Sequence, residues 1–179
     1  MNQFSDVEKK IAKNNKILFS KESLCLQDLI KLIESQNHRT LILWALDCGM
    51  EGVKELETLY PKENRPRKAL ELCNAWSRGD IKMALAKKAI LETHALAKDI
   101  DDKVCIALCH AIGHAGATVH VGTHALGLPM YELTAIVLSN GCKGYEEEVT
   151  LKIAYYFEKL KYWEENEEKI ERPWAKFLL

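Results

Sequence analysis

The chain has 179 residues, 47% of them hydrophobic and 28% charged, with a formal net charge of −1. That length suits one well-buried domain and is short for two. The near-zero charge argues against a general nucleic-acid binder, and the polar opening of the chain, with no apolar h-region, argues against a secretory signal.

The pattern is helical nearly throughout, with Pro and Gly at boundaries and no strand-like alternation. Asp6 to about Phe19 reads as a polar, weakly amphipathic segment. Leu26, Leu29, Ile30, Leu32 and Ile33 then form a short helix face, with Ser23 as its N-cap. A longer helix is expected from about Arg39 to Leu59, its apolar positions including Leu41, Trp44, Cys48, Val53 and Leu56, and Pro61 ends it. Asn64, Arg65 and Pro66 start the next, which carries Ala69, Leu70, Cys73 and Trp76 and stops at Gly79. Asp80 is then expected to cap a helix over 81–98.

Asp101 or Asp102 caps the central helix, Val104 to about Val119. Gly122 and Thr123 break it, and Thr123 caps a helix from His124 to Ser139 that Gly141 and Gly144 close. A last long helix runs from about Glu146 to Ile170, and Pro173 and Trp174 begin a short tail. The expected fold class is all-α: a single-domain helical bundle of about eight helices around a buried, charge-free central hairpin. Residues 1–38 form an N-terminal helical extension packed on a core domain of residues 39–179.

The stretch from Val104 to Tyr131 holds no Asp, Glu, Lys or Arg, yet it contains His110, His114, His120 and His124. Such a run belongs inside the protein, and buried imidazoles need partners. Three uses are open: hydrogen bonding to buried neighbours, holding a metal, or chemistry. Four histidines, several glycines and Pro129 make the run a poor membrane span. On a helical wheel Cys105, Cys109, Gly113, Gly116 and His120 share a small-residue face that admits a close neighbour. His110 and His114, at i and i+4, lie on another.

Those two are spaced to chelate one ion, and zinc is the metal such a cluster would take, with His110, His114, His120 and His124 as the ligand candidates. Against it, Ala111 stands where His-Glu-x-x-His requires glutamate, and His120 lies about 120° around the helix from His114. No cofactor is therefore expected. Gly-x-Ser-x-Gly, a P-loop and Gly-x-Gly-x-x-Gly are all absent. Adjacent Cys109 and His110 diverge by 100°, which does not make a thiol–imidazole pair. The six cysteines show no Cys-x-x-Cys spacing and read as free thiols in a reducing, cytoplasmic setting.

Three segments, in order, resemble the bacterial putative immunity protein family, the immunity-protein-five-like domain. The first is Trp44-Ala45-Leu46-Asp47-Cys48. The second is Asn64-Arg65-Pro66-Arg67 with Ala69, followed by Trp76-x-x-Gly79. The third is Gly113-His114-Ala115-x-Ala117-Thr118-x-His120-Val121-x-x-His124-Ala125. They cover about Arg39 to Val137, and Glu171-Arg172-Pro173-Trp174 resembles the family's closing piece. Asn64 replaces the usual acidic residue, His110 stands outside the signature, and the first 38 residues have no counterpart in it.

The resemblance implies an all-helical protein, defined by no enzymatic activity, that binds and neutralises a cognate bacterial toxin as a monomer or homodimer; the charge and composition given above add the expectation of no nucleic-acid and no membrane partner. It carries over Asp47, Arg65, Arg67, Trp76, His114, His120 and His124 as a binding surface or buried polar cluster. Asp47 with Arg65 or Arg67 is the obvious bidentate pair. The alternative reading is a metal-dependent hydrolase or small-ligand-binding protein that uses the histidine cluster.

Overall fold

The computed structural model describes residues 2–179. Eight α-helices follow one another among them: α1 Ser5–Ala12, α2 Gln27–Glu34, α3 His38–Leu59, α4 Arg65–Arg78, α5 Met83–Leu96, α6 Lys103–Ala117, α7 Gly127–Ser139 and α8 Glu146–Asn166. Short 3₁₀ turns lie at Leu24–Leu26, Gly122–Leu126, Glu167–Lys169 and Lys176–Leu178. No strand forms among the described residues, and the fold is an all-α bundle.

Helix α6, charge-free after Lys103, is the axis. It packs against α3, α4, α5 and α7, while α8 lies across α3 and α7 and α2 lies on α8. A helix apolar on nearly every side can be stable only if it is surrounded, and Cys105, Leu108, Cys109, Ile112 and Ala115 are completely buried. Glycines and alanines set the spacing. A Cβ on Gly49 of α3 would come to 2.7 Å from Ala115, and one on Gly116 of α6 to 2.9 Å from the Cys73 sulfur of α4. The small-residue face of α6 thus receives α4 and α5.

Helix ends follow local chemistry. Asn37 accepts the Thr40 amide at the start of α3, and Gly79 ends α4 with φ of 83°, a conformation glycine adopts without strain. The Asp102 carboxylate accepts the amides of both Val104 and Cys105 and caps α6. Asp102→Ala should therefore cost about 1 kcal/mol of unfolding free energy, measured by urea denaturation at neutral pH. An unchanged midpoint would mean that the cap contributes nothing.

Several expected boundaries shift. Helix α1 stops at Ala12 rather than continuing toward Phe19, because Asn14 takes φ of 52° and the Asn15 amide reaches back to the Lys10 carbonyl. The chain then runs irregularly to bury Leu18 and Phe19, the Leu18 amide donating to Thr134 Oγ1 of α7. Ser23 stands at the N-cap position of the 3₁₀ turn Leu24–Leu26 that leads into α2, but its side chain does not cap it: the hydroxyl donates to Asp6 at 2.6 Å, tying this segment to α1. Nor does Asp80 cap α5. It pairs with Arg78 at 2.9 Å, and α5 begins later, at Met83. Thr123 caps nothing either, since it falls inside the 3₁₀ turn and α7 begins at Gly127. That turn also brings part of the charge-free run to the surface. His120, Val121 and Thr123 are exposed, although the two helices they join are buried.

Candidate functional site

Helices α5, α6 and α7 and the 3₁₀ turn between the last two bring four imidazoles and a phenol into one cluster. His110 and His114 project from the same face of α6, as their spacing requires. His94 reaches them from α5, His124 from the turn and Tyr131 from α7. The His94 and His110 rings lie 5.2 Å apart and those of His114 and His124 5.4 Å, while the Tyr131 ring stacks on His114 at 5.2 Å and 21°.

Two glycines make room for this. A Cβ on Gly113 would come to 2.5 Å from Cε1 and Nε2 of His94. A Cβ on Gly127 would overlap Cγ and Nδ1 of His114. Each glycine is a seat for an imidazole ring, which gives Gly113 a role beyond helix–helix spacing.

The rings pair through nitrogen. His94 Nδ1 lies 2.9 Å from His110 Nδ1, and His124 Nδ1 lies 3.3 Å from His114 Nδ1. Such a bond requires one Nδ1–H and one bare Nδ1, so when both rings of a pair are neutral they are of opposite tautomer. Burial dominates their titration. It holds His114 down to about 4, with the neighbouring imidazoles His94, His124 and His110 adding to it. It also lowers His94, His110 and His124 below the usual histidine range.

Among the described residues no group of three or more His, Cys, Asp or Glu is arranged to hold a metal ion. The expected ligand set of His110, His114, His120 and His124 does not converge: His120 lies beside Trp76 instead, ring centroids 5.9 Å apart. Its place in the cluster is taken by His94. Burial pushes the thiols of Cys73 and Cys109 up to about 12, so they are protonated at neutral pH and poor nucleophiles. Chemically, then, the cluster offers neutral hydrogen-bond donors and acceptors.

The remaining residues named from the sequence go to separate places. Asp47 does not pair with Arg65 or Arg67. It accepts from Lys159 Nζ at 2.9 Å and from the Trp163 indole at 3.0 Å, linking α3 to α8. Arg65 grips Glu63 through Nε and Nη2 and reaches Asp99 with Nη1, at 2.7 to 2.9 Å. Arg67 makes a bidentate pair with Glu57 at 2.6 and 2.8 Å. Both arginines do form the expected kind of contact, with glutamates close in sequence at the α3–α4 junction. Trp76 packs with Ile42, Cys73, Ile90 and Val119 in a smaller apolar cluster.

Two polar features were missed from the sequence. His94 continues the buried Ala86, Ile90 series at i+4, a signal that was available but lay outside the charge-free run. Glu132 is 3% exposed and receives Lys152 Nζ at 2.6 Å together with the Tyr156 hydroxyl, joining α7 to α8.

A family model described as an Imm-5 like putative immunity protein matches residues 31–159. No curated protein and no solved structure matches the chain. The matched region contains α3 to α7 whole and with them all four clustered histidines.

Proposed function

The chain belongs to the Imm-5 like putative immunity protein family, and from that membership we propose that it binds and neutralises a cognate toxin without catalysing a reaction. The match over 31–159 is the observation that carries this reading. The outer face of α5 supports it. Leu85 and Leu91 are 54% and 57% exposed there, about 120° apart around the helix, and Met83 is exposed in its first turn. Exposed apolar side chains of this kind, with Lys87 and the Lys88–Glu92 pair among them, suit a partner surface that has an apolar patch. The histidine cluster, on this reading, is a neutral polar joint that fixes how α5, α6 and α7 meet.

Co-expression of the chain with the product of each gene adjoining its own tests the proposal. One product should arrest growth alone, and the chain should restore growth and co-purify with it in a stoichiometric complex. The pair Leu85→Asp and Leu91→Asp should weaken that complex while leaving the helical signal intact. No toxic neighbour, or toxicity that persists beside the folded chain, would overturn the reading.

A further inference from the structure

A cavity of about 640 Å³ opens between the segment that follows α1, the end of α5, and the outer faces of α6 and α7. Its volume lies in the range of small-molecule sites, roughly 300–1,000 Å³. Ile17, Ile100, Ile106 and Leu138 give it apolar walls, and His94, His110 and Tyr131 are the aromatic polar groups that reach it. Residues 11–18 on one side lie outside the segment matched by the family model, 31–159, so this wall is a feature of the chain's own N-terminal region.

The polar groups are incompletely used. His94 and His110 engage each other through Nδ1, the His94 Nε2 edge rests on Gly113, and among the described residues no protein group bonds to His110 Nε2 or to the Tyr131 hydroxyl. In a pair that shares one Nδ1 proton, the donating ring keeps a bare Nε2 and the accepting ring carries Nε2–H. With His94 as the donating ring, its bare Nε2 rests against Gly113 of α6, and His110, which lines the cavity, carries Nε2–H. A carboxylate, an acceptor only, is matched by two donors, that Nε2–H and the Tyr131 O–H. Lys16, Lys98 and Lys103 also line the cavity, against the single carboxylate of Asp101, which gives its surroundings a positive balance that favours an acid over a neutral or cationic ligand.

We propose that this cavity binds a small carboxylate with an apolar body, its head group on His110 and Tyr131 and its tail against Ile17, Ile106 and Leu138. This site is independent of the toxin-binding reading and stands or falls by its own test.

The test is calorimetric titration of the full chain with decanoate, decan-1-ol and decylammonium, together with long-range proton–nitrogen spectra of the histidine rings. Decanoate binds and shifts the His94 and His110 ring nitrogens, and the alcohol and the amine bind at least roughly tenfold more weakly. Ala97→Trp fills the cavity from its half-buried wall and abolishes binding. The charge reversals Lys98→Glu and Lys103→Glu, on exposed side chains, weaken decanoate several-fold and leave the alcohol unaffected. No heat and no shift with decanoate would overturn the site. Equal affinity for decan-1-ol would overturn carboxyl recognition. Unchanged decanoate binding in a folded Ala97→Trp variant, or in the charge reversals should Ala97→Trp not fold, would overturn the location.

Discussion

The unfolding free energy should fall steeply as pH drops from about 6.5 to about 5, before the carboxylates begin to titrate. Four imidazoles cause this. His94, His110, His114 and His124 all have folded pKa values depressed by burial, His114 to about 4. Above the unfolded value near 6.5 both states leave these rings neutral, and they contribute no slope. Below it the unfolded chain takes up protons that the folded chain refuses. Stability is then lost at up to about 1.4 kcal/mol per pH unit for each ring, until the folded pKa is reached. For His114 alone the loss amounts to about 3 kcal/mol by about pH 4. The paired geometry acts in the same direction once both rings of a pair are charged, because an Nδ1–H facing another Nδ1–H at 2.9 Å cannot form a bond.

Carboxylates such as Glu57 and Glu63, held low by Arg67 and Arg65, add their own acid lability only at lower pH. Glu55, raised by burial, titrates in the opposite sense, so the loss in the upper part of the window comes from the histidines. Urea denaturation at about pH 7, 6 and 5 measures the slope, and His114→Gln should flatten it by up to one proton's worth. A flat profile between about pH 7 and 5 would mean that the four rings are not neutral in the fold.

How much of this was legible depends on what kind of signal each feature leaves. The boundaries of α3, α4 and α6 were marked by residues that act alone, with Pro61, Gly79 and Asp102 each imposing a local geometry. The seating of α6 at the centre followed from its lack of charge. Pairing between charges was much less legible. Nothing along the chain distinguishes Lys159 and Trp163 from Arg65 as partners for Asp47, because the choice is made by how α8 crosses α3. The histidine cluster lay between these cases. His110 and His114 were forced onto one face by helical spacing. That His94 would join them, and His120 would not, depended on where α5 crosses α6 at Gly113 and on the turn that carries His120 outward to Trp76.

Gly127→Ala should destabilise the protein by about 2 kcal/mol, against the usual direction of a glycine-to-alanine change in a helix. Gly127 opens α7 at φ of −68° and ψ of −35°, ordinary right-handed helical values. Alanine fits that backbone without strain and would normally gain up to about 1 kcal/mol there. The obstacle is His114, whose ring lies where the new methyl would go. To admit it the ring must leave its stack on Tyr131 and its contact with His124 Nδ1, and α6 and α7 lose their polar joint. A double-mutant cycle isolates the cause. His114→Ala removes the ring, so Gly127→Ala made in that background should be neutral or stabilising, with a coupling of roughly 1 to 3 kcal/mol between the sites. A single Gly127→Ala variant more stable than the wild type would show that the imidazole does not occupy that seat. The same substitution at Gly113, under His94, should behave alike, because an unbranched backbone position there lets α5 carry its imidazole onto α6.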